Sequence, residues 1–167
     1  MKINKRYPLP TDAATAAALL AQESTYAEAA RRLGATAHSE SVTTEGDGFT
    51  TNAAMTVPTK GVPAVAAKFV GESISVQHSE KWSAPAADGG RKAPMTVTLE
   101  GLPIRCKASL TLVPTGSTCE LDFDGEITAS IPLVGGKLAQ AAADPLEEAI
   151  ETIAAVVGDR STDASDA

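Results

Sequence analysis

Aromatic residues are scarce in this chain: one tryptophan, two tyrosines and three phenylalanines among 167 residues. A core built from alanine and aliphatic side chains is hard to fill completely, which leaves room for a cavity beside it. Two cysteines are too few for a disulfide framework. Basic residues number 14 against 21 acidic ones, for a formal charge of −7 and a pI near 4.8. Nucleic acid is therefore an unexpected partner, because its recognition needs a clustered basic face. No apolar run has the length of a membrane span. Lys2, Lys5 and Arg6 ahead of Ala13 to Ala21 imitate a signal peptide, but Pro8, Pro10 and Asp12 break it. The expectation is a strand followed by an Ala-rich helix in a cytoplasmic chain.

The length suits one domain with a sizeable core. Ile3–Leu9 reads as a strand, and Thr11 or Asp12 can cap a helix over roughly 12–22. Thr25 with Glu28 suggests a capping box for a second helix ending at Gly34. Strand character follows at 36–44, 49–57, 73–82, 95–100, 104–113 and 118–131, separated by Gly- and Pro-bearing turns. That makes seven strands. Val62, Val65, Ala66, Phe69 and Val70 form a short amphipathic stripe that fits a lid or a packed crossover equally well.

From Glu120 to Ile131 polar and apolar or small residues alternate strictly, the pattern of a strand dry on one face. With a Thr115-Gly116 turn, Leu112 falls opposite Cys119, Leu110 opposite Leu121, Arg105 opposite Glu126 and Lys107 opposite Asp124. The Glu120–Glu126 carboxylates then form a solvated ladder. The cysteines stand about 20 Å apart in that register, beyond disulfide reach, and are expected reduced and buried. Leu138, Ala142, Leu146, Ile150, Ile153 and Val157 recur at helical spacing, with a kink or break expected at Asp144-Pro145. Residues 1–157 are read as one domain, and 158–167, small and polar, as a disordered tail.

The two histidines sit in a repeated tripeptide, His38-Ser39-Glu40 and His78-Ser79-Glu80. On period two, each His shares a strand face with its Glu, and both pairs could look inward to serve as acid and base. The preferred reading is plainer: strand-end residues bonded to neighbours and solvent, because neither motif has metal-site spacing. Glu80 is the exception, since a carboxyl between Val76 and Trp82 on an apolar face needs a partner. Gly135-Gly136-Lys137 lacks the remainder of a phosphate-binding loop, and no residue pattern calls for a metal or other cofactor.

The order strand, two helices, six strands, long helix resembles the helix-grip fold of the START-like (SRPBCC, Bet v 1-like) superfamily. Ala67-Lys68-Phe69-Val70-Gly71, Glu80-Lys81-Trp82 and Ile131-Pro132-Leu133-Val134-Gly135-Gly136-Lys137 resemble an uncharacterised bacterial family within it, over about residues 1 to 155. The resemblance implies an α+β domain in which a strongly curved antiparallel sheet grips the C-terminal helix. It also implies an apolar cavity between them for a lipid-like or polyketide-like hydrophobic molecule. Met55, Phe69, Val76, Val97, Phe123 and Leu138 are the expected lining, together with Trp82 and with Glu80 at the ligand's polar end. The alternative is an enzyme of the polyketide cyclase/dehydratase type using His38, Glu40, His78 or Glu80.

Overall fold

Local chemistry fixes the ends of the first elements. In the computed structural model, which describes residues 1–166, β1 (Lys2–Leu9) ends in a proline-flanked turn where Asp12 caps α1 (Ala13–Leu20). The Asp12 side chain accepts the Thr15 amide at 2.7 Å, which holds its carboxyl below the usual range. The capping box expected for α2 (Glu23–Arg32) does not form. Thr25 is buried and donates instead to the Leu19 carbonyl at 2.6 Å, stitching the two helices together. Leu33 and Gly34, at φ +78°, close α2.

The remaining elements are β2 (Ala37–Glu45), β3 (Gly48–Pro58), α3 (Ala64–Ala67), β4 (Ser73–Trp82), β5 (Arg91–Leu99), β6 (Ile104–Thr115), β7 (Thr118–Ala129) and α4 (Gly135–Asp166). The strands make one antiparallel sheet in the order β1-β7-β6-β5-β4-β3-β2. The sheet curves around α4, giving the expected α+β helix-grip fold. Its inner face and α4 share one core, in which Trp82, Leu112, Leu121, Phe123, Ile127, Leu138 and Ile150 are each at most 2% exposed. Gly125 is required within it: a Cβ there would stand 2.8 Å from the Phe123 ring and 3.0 Å from Ala108 Cβ.

Three expectations are corrected. The β6–β7 turn is Gly116-Ser117, with Thr115 opposite Thr118, so the register moves by two residues: Leu112 faces Leu121 and Lys107 faces Glu126. A shift of two preserves every side chain's face, which is why the alternation alone could not detect it. Of the kink or break expected at Pro145, the break is absent, for α4 is continuous through it. Pro145 is exposed and removes one amide donor, while Leu138, Ala143, Ile150 and Ile153 bury apolar side chains before and after it. The residues from Gly158, expected as a disordered tail, continue α4 as far as Asp166, and Ala167 lies outside the described residues. Arg160 fastens this last stretch to α2 through Ser24 and Glu28, at 2.6–3.1 Å.

The junction before α4 is tightly built. A Cβ on Gly135 would come 2.3 Å from the Ala129 carbonyl oxygen, so only glycine fits. Ile131 and Val134 pack on the core, whereas Leu133 between them has φ +68° and is fully exposed. A leucine in this region costs on the order of 1–2 kcal/mol relative to ordinary backbone.

Candidate functional site

Strand pairing arranges the inner face of the β2–β5 region in rows. Val42, Thr51, Glu80 and Met95 form one; Glu40, Ala53, His78 and Val97 the next; His38, Met55 and Val76 with Leu99 a third. Both His-Ser-Glu tripeptides therefore do place His and Glu on the inner face. The first stays at the sheet edge, where exposed His38 has Nδ1 2.7 Å from Glu40 Oε1. The second runs into the core.

Glu80 is 1% exposed. Its Oε2 accepts the Tyr26 hydroxyl at 2.8 Å and the Trp82 indole N–H at 2.9 Å. These bonds tie α2 to β4 and supply the partner that a carboxyl on a dry face demands. Burial, then the nearby charge of Glu80, pushes the Tyr26 hydroxyl well above its ordinary pKa, so it stays a donor. The tyrosine was not identifiable from sequence: it lies 54 residues from Glu80, and its only signal is an aromatic among alanines on the buried face of α2.

His78 stacks at a tilt on Tyr26, with ring centroids 5.4 Å apart. Its Nε2 is 3.6 Å from Glu80 Oε1, too far for a hydrogen bond, and is buried without a protein partner. Burial lowers the imidazole's pKa below 6.5, outweighing the opposing pull of Glu80 and Glu40. Both of Glu80's hydrogen bonds fall on Oε2, so the oxygen nearest the imidazole, Oε1, is not the one that holds Tyr26 and Trp82. Among the described residues no cluster of His, Cys, Asp and Glu could hold a metal ion.

The residues expected to line a cavity divide into two sets. Trp82, Val97, Phe123 and Leu138 belong to the sealed core. Met55 and Val76 face each other across β3 and β4 and are only half-buried, as are Val57 and Ile74 one row further on, while Phe69 is exposed. The interior of the grip is thus fully buried at the Phe49–Trp82 end and only half-buried at the Val57–Ile74 end. Short α3, with Ala66 packed on the core, is the nearest cover.

A separate recess of about 420 Å³ lies on the opposite, outer face of the sheet. Ser41, Asn52, Ser79 and Thr96 cross it as successive strand partners. Most of its lining is hydroxyl and amide residues of that face, but Glu40, Ala53 and His78 of the inner row also border it.

The family described as a protein of unknown function (DUF2505) matches residues 4–159. No curated protein matches the sequence. Solved structures of the same fold include a START superfamily protein from Mycobacterium smegmatis, 13% identical with a TM-score of 0.57 over 93% of this chain and 96% of that one. A STAR-related lipid transfer protein from Xanthomonas axonopodis is 13% identical, with a TM-score of 0.54 over 91% and 85%. Norcoclaurine synthase from Thalictrum flavum, in complex with dopamine and hydroxybenzaldehyde, is 16% identical, with a TM-score of 0.52 over 94% and 86%.

Proposed function

The chain belongs to the DUF2505 family, and we propose that it binds a hydrophobic small molecule between the sheet and α4, to sequester or carry it. One observation carries this reading: the inner face of β3 and β4 passes from fully buried at Phe49 and Trp82 to half-exposed at Met55, Val57, Ile74 and Val76. Apolar side chains left half-open inside a curved sheet gain about 25 cal/mol for each Å² a ligand covers. The START and lipid-transfer proteins of the same fold agree with it. On this reading the ligand's main contacts lie on the half-buried rows rather than at Trp82 and Phe123, with His78 and Glu80 beneath them.

Native mass spectrometry of freshly purified protein, followed by organic extraction, tests this directly. A retained apolar molecule, lost in Val76→Glu but kept in Ser79→Glu on the outer face, is the expected result. A protein that stays empty when offered lipid extracts would refute it.

The enzymatic reading rests on the His78–Glu80–Tyr26 cluster and on norcoclaurine synthase having this fold. It has less support, because Glu80 is committed to Tyr26 and Trp82 and His78 Nε2 is shielded from solvent.

A further inference from the structure

The large apolar side chains exposed among the described residues are Met1, Phe69 and Leu133. They are far apart in sequence, yet antiparallel pairing brings them to one end of the molecule. The end of β3, the start of β4, the end of β5, the start of β6, the end of β7 and the start of β1 all meet there. Phe69 projects from the β3–β4 connection and Leu133 from the β7–α4 junction. This is also the end at which Met55, Val57, Ile74 and Val76 are half-open.

Leu133 is displayed there by construction. Its neighbours Ile131 and Val134 pack on the core, Gly135 is wedged against Ala129, and the Gly135 and Leu138 amides bond back to Ile131 and Val134. Between these fixed points the leucine takes an unfavourable left-handed conformation and buries nothing. An exposed apolar side chain held at a backbone cost calls for a partner that covers it.

The charges beside it indicate which partner. Lys68 stands 5.2 Å over the Phe69 ring, Lys137 is in the first turn of α4, and Lys60 lies in the same connection as Phe69. Glu72 and Glu100 are the acidic residues of these loops, so this end is slightly basic in a chain of charge −7. Apolar tips next to lysines that can snorkel match the interface of an anionic bilayer.

We propose that this end of the grip docks on an anionic lipid bilayer, with Leu133 and Phe69 inserted and Lys60, Lys68 and Lys137 at the headgroups. The surface does not depend on the interior holding a ligand, so the two readings fail separately. Docking would turn the open rows toward the membrane, and a hydrophobic molecule could pass between them without crossing water.

The test is co-sedimentation of the full chain with vesicles of phosphatidylcholine alone or mixed with phosphatidylglycerol. Binding to the mixed vesicles is expected, weakened by salt. Leu133→Asn should reduce it about tenfold, as loss of one inserted leucine would, and Phe69→Ser should do the same. Asparagine accepts a left-handed backbone better than leucine, so the melting temperature of Leu133→Asn should hold or rise, which separates lost docking from lost folding. Lys68→Glu with Lys137→Glu should abolish the preference for anionic lipid. Wild-type protein that does not sediment, equal binding to both vesicles, or Leu133→Asn binding like wild type would each overturn the proposal. So would a Leu133-dependent self-association without vesicle binding, which would assign the surface to a second copy of the chain.

Discussion

At the residue scale the dominant interaction is the one acceptor shared by two buried donors. Replacing Glu80 by alanine orphans the Tyr26 hydroxyl and the Trp82 N–H, at about 1–3 kcal/mol for each donor, whereas Tyr26→Phe should cost about 1 kcal/mol. Urea titrations followed by far-UV circular dichroism should show that order. His78 adds a pH dependence of known sign. Burial holds its folded-state pKa below 6.5, so below that pH the unfolded chain binds a proton that the folded chain resists. Its contribution to stability is intact above pH 6.5 and falls as the solution is acidified, and His78→Gln should flatten that part of the melting-temperature profile. Both cysteines are free and buried, with thiols pushed up to about 11 by desolvation. A thiol reagent at pH 8 should label them only after denaturant is added. The sequence shows that Glu80 needs a partner, because a carboxyl in a dry row always does. It cannot show Tyr26 as that partner, because their contact depends on how α2 is laid over the sheet.

At the element scale the legible features are those with short periods. The strands of the sheet are recognisable from alternation, the pairing of Val97 with Cys106 follows from a simple Gly101-Leu102 turn, and a tight turn at Gly46–Gly48 puts His38 on the face of Met55 and Val57 without choosing between them. Register at β6–β7 does not follow, because Thr115-Gly116 and Gly116-Ser117 are both acceptable turns and preserve the same faces. A break in α4 does not follow from Pro145, because a proline signal is local, while the burial that holds the helix together is spread over its whole length. Pro145→Ala should therefore stabilise the protein, by up to about 3 kcal/mol, since it restores an amide donor to a helix already formed. Gly135→Ala should do the reverse. Its Cβ would collide with the Ala129 carbonyl, forcing the start of α4 away from β7, and thermal denaturation should show the loss.

At the scale of the whole molecule the sheet is asymmetric along its strands, sealed at one end and unfinished at the other. A ligand that completes the open end binds the folded chain alone. At a hundredfold excess over its Kd it should raise stability by about 2.7 kcal/mol, a shift in melting temperature of several degrees for a chain of this size. Val76→Glu should abolish that shift. This polarity was beyond sequence reasoning: Met55 and Val76 carry the same apolar signal as buried strand residues, and only the reach of α3 and α4 decides which rows are covered.

The chain's single tryptophan is Trp82, and its indole N–H is bonded to the carboxyl that also holds α2 through Tyr26. Nature has placed the sole strong fluorophore at the seam between helix and sheet. Its emission wavelength and lifetime therefore report that seam without a competing indole signal, and lifting α2 from β4 would let water reach the ring and shift its emission to the red. Stopped-flow fluorescence can thus time the parting of α2 from the sheet in unlabelled protein, including any parting that occurs during ligand uptake.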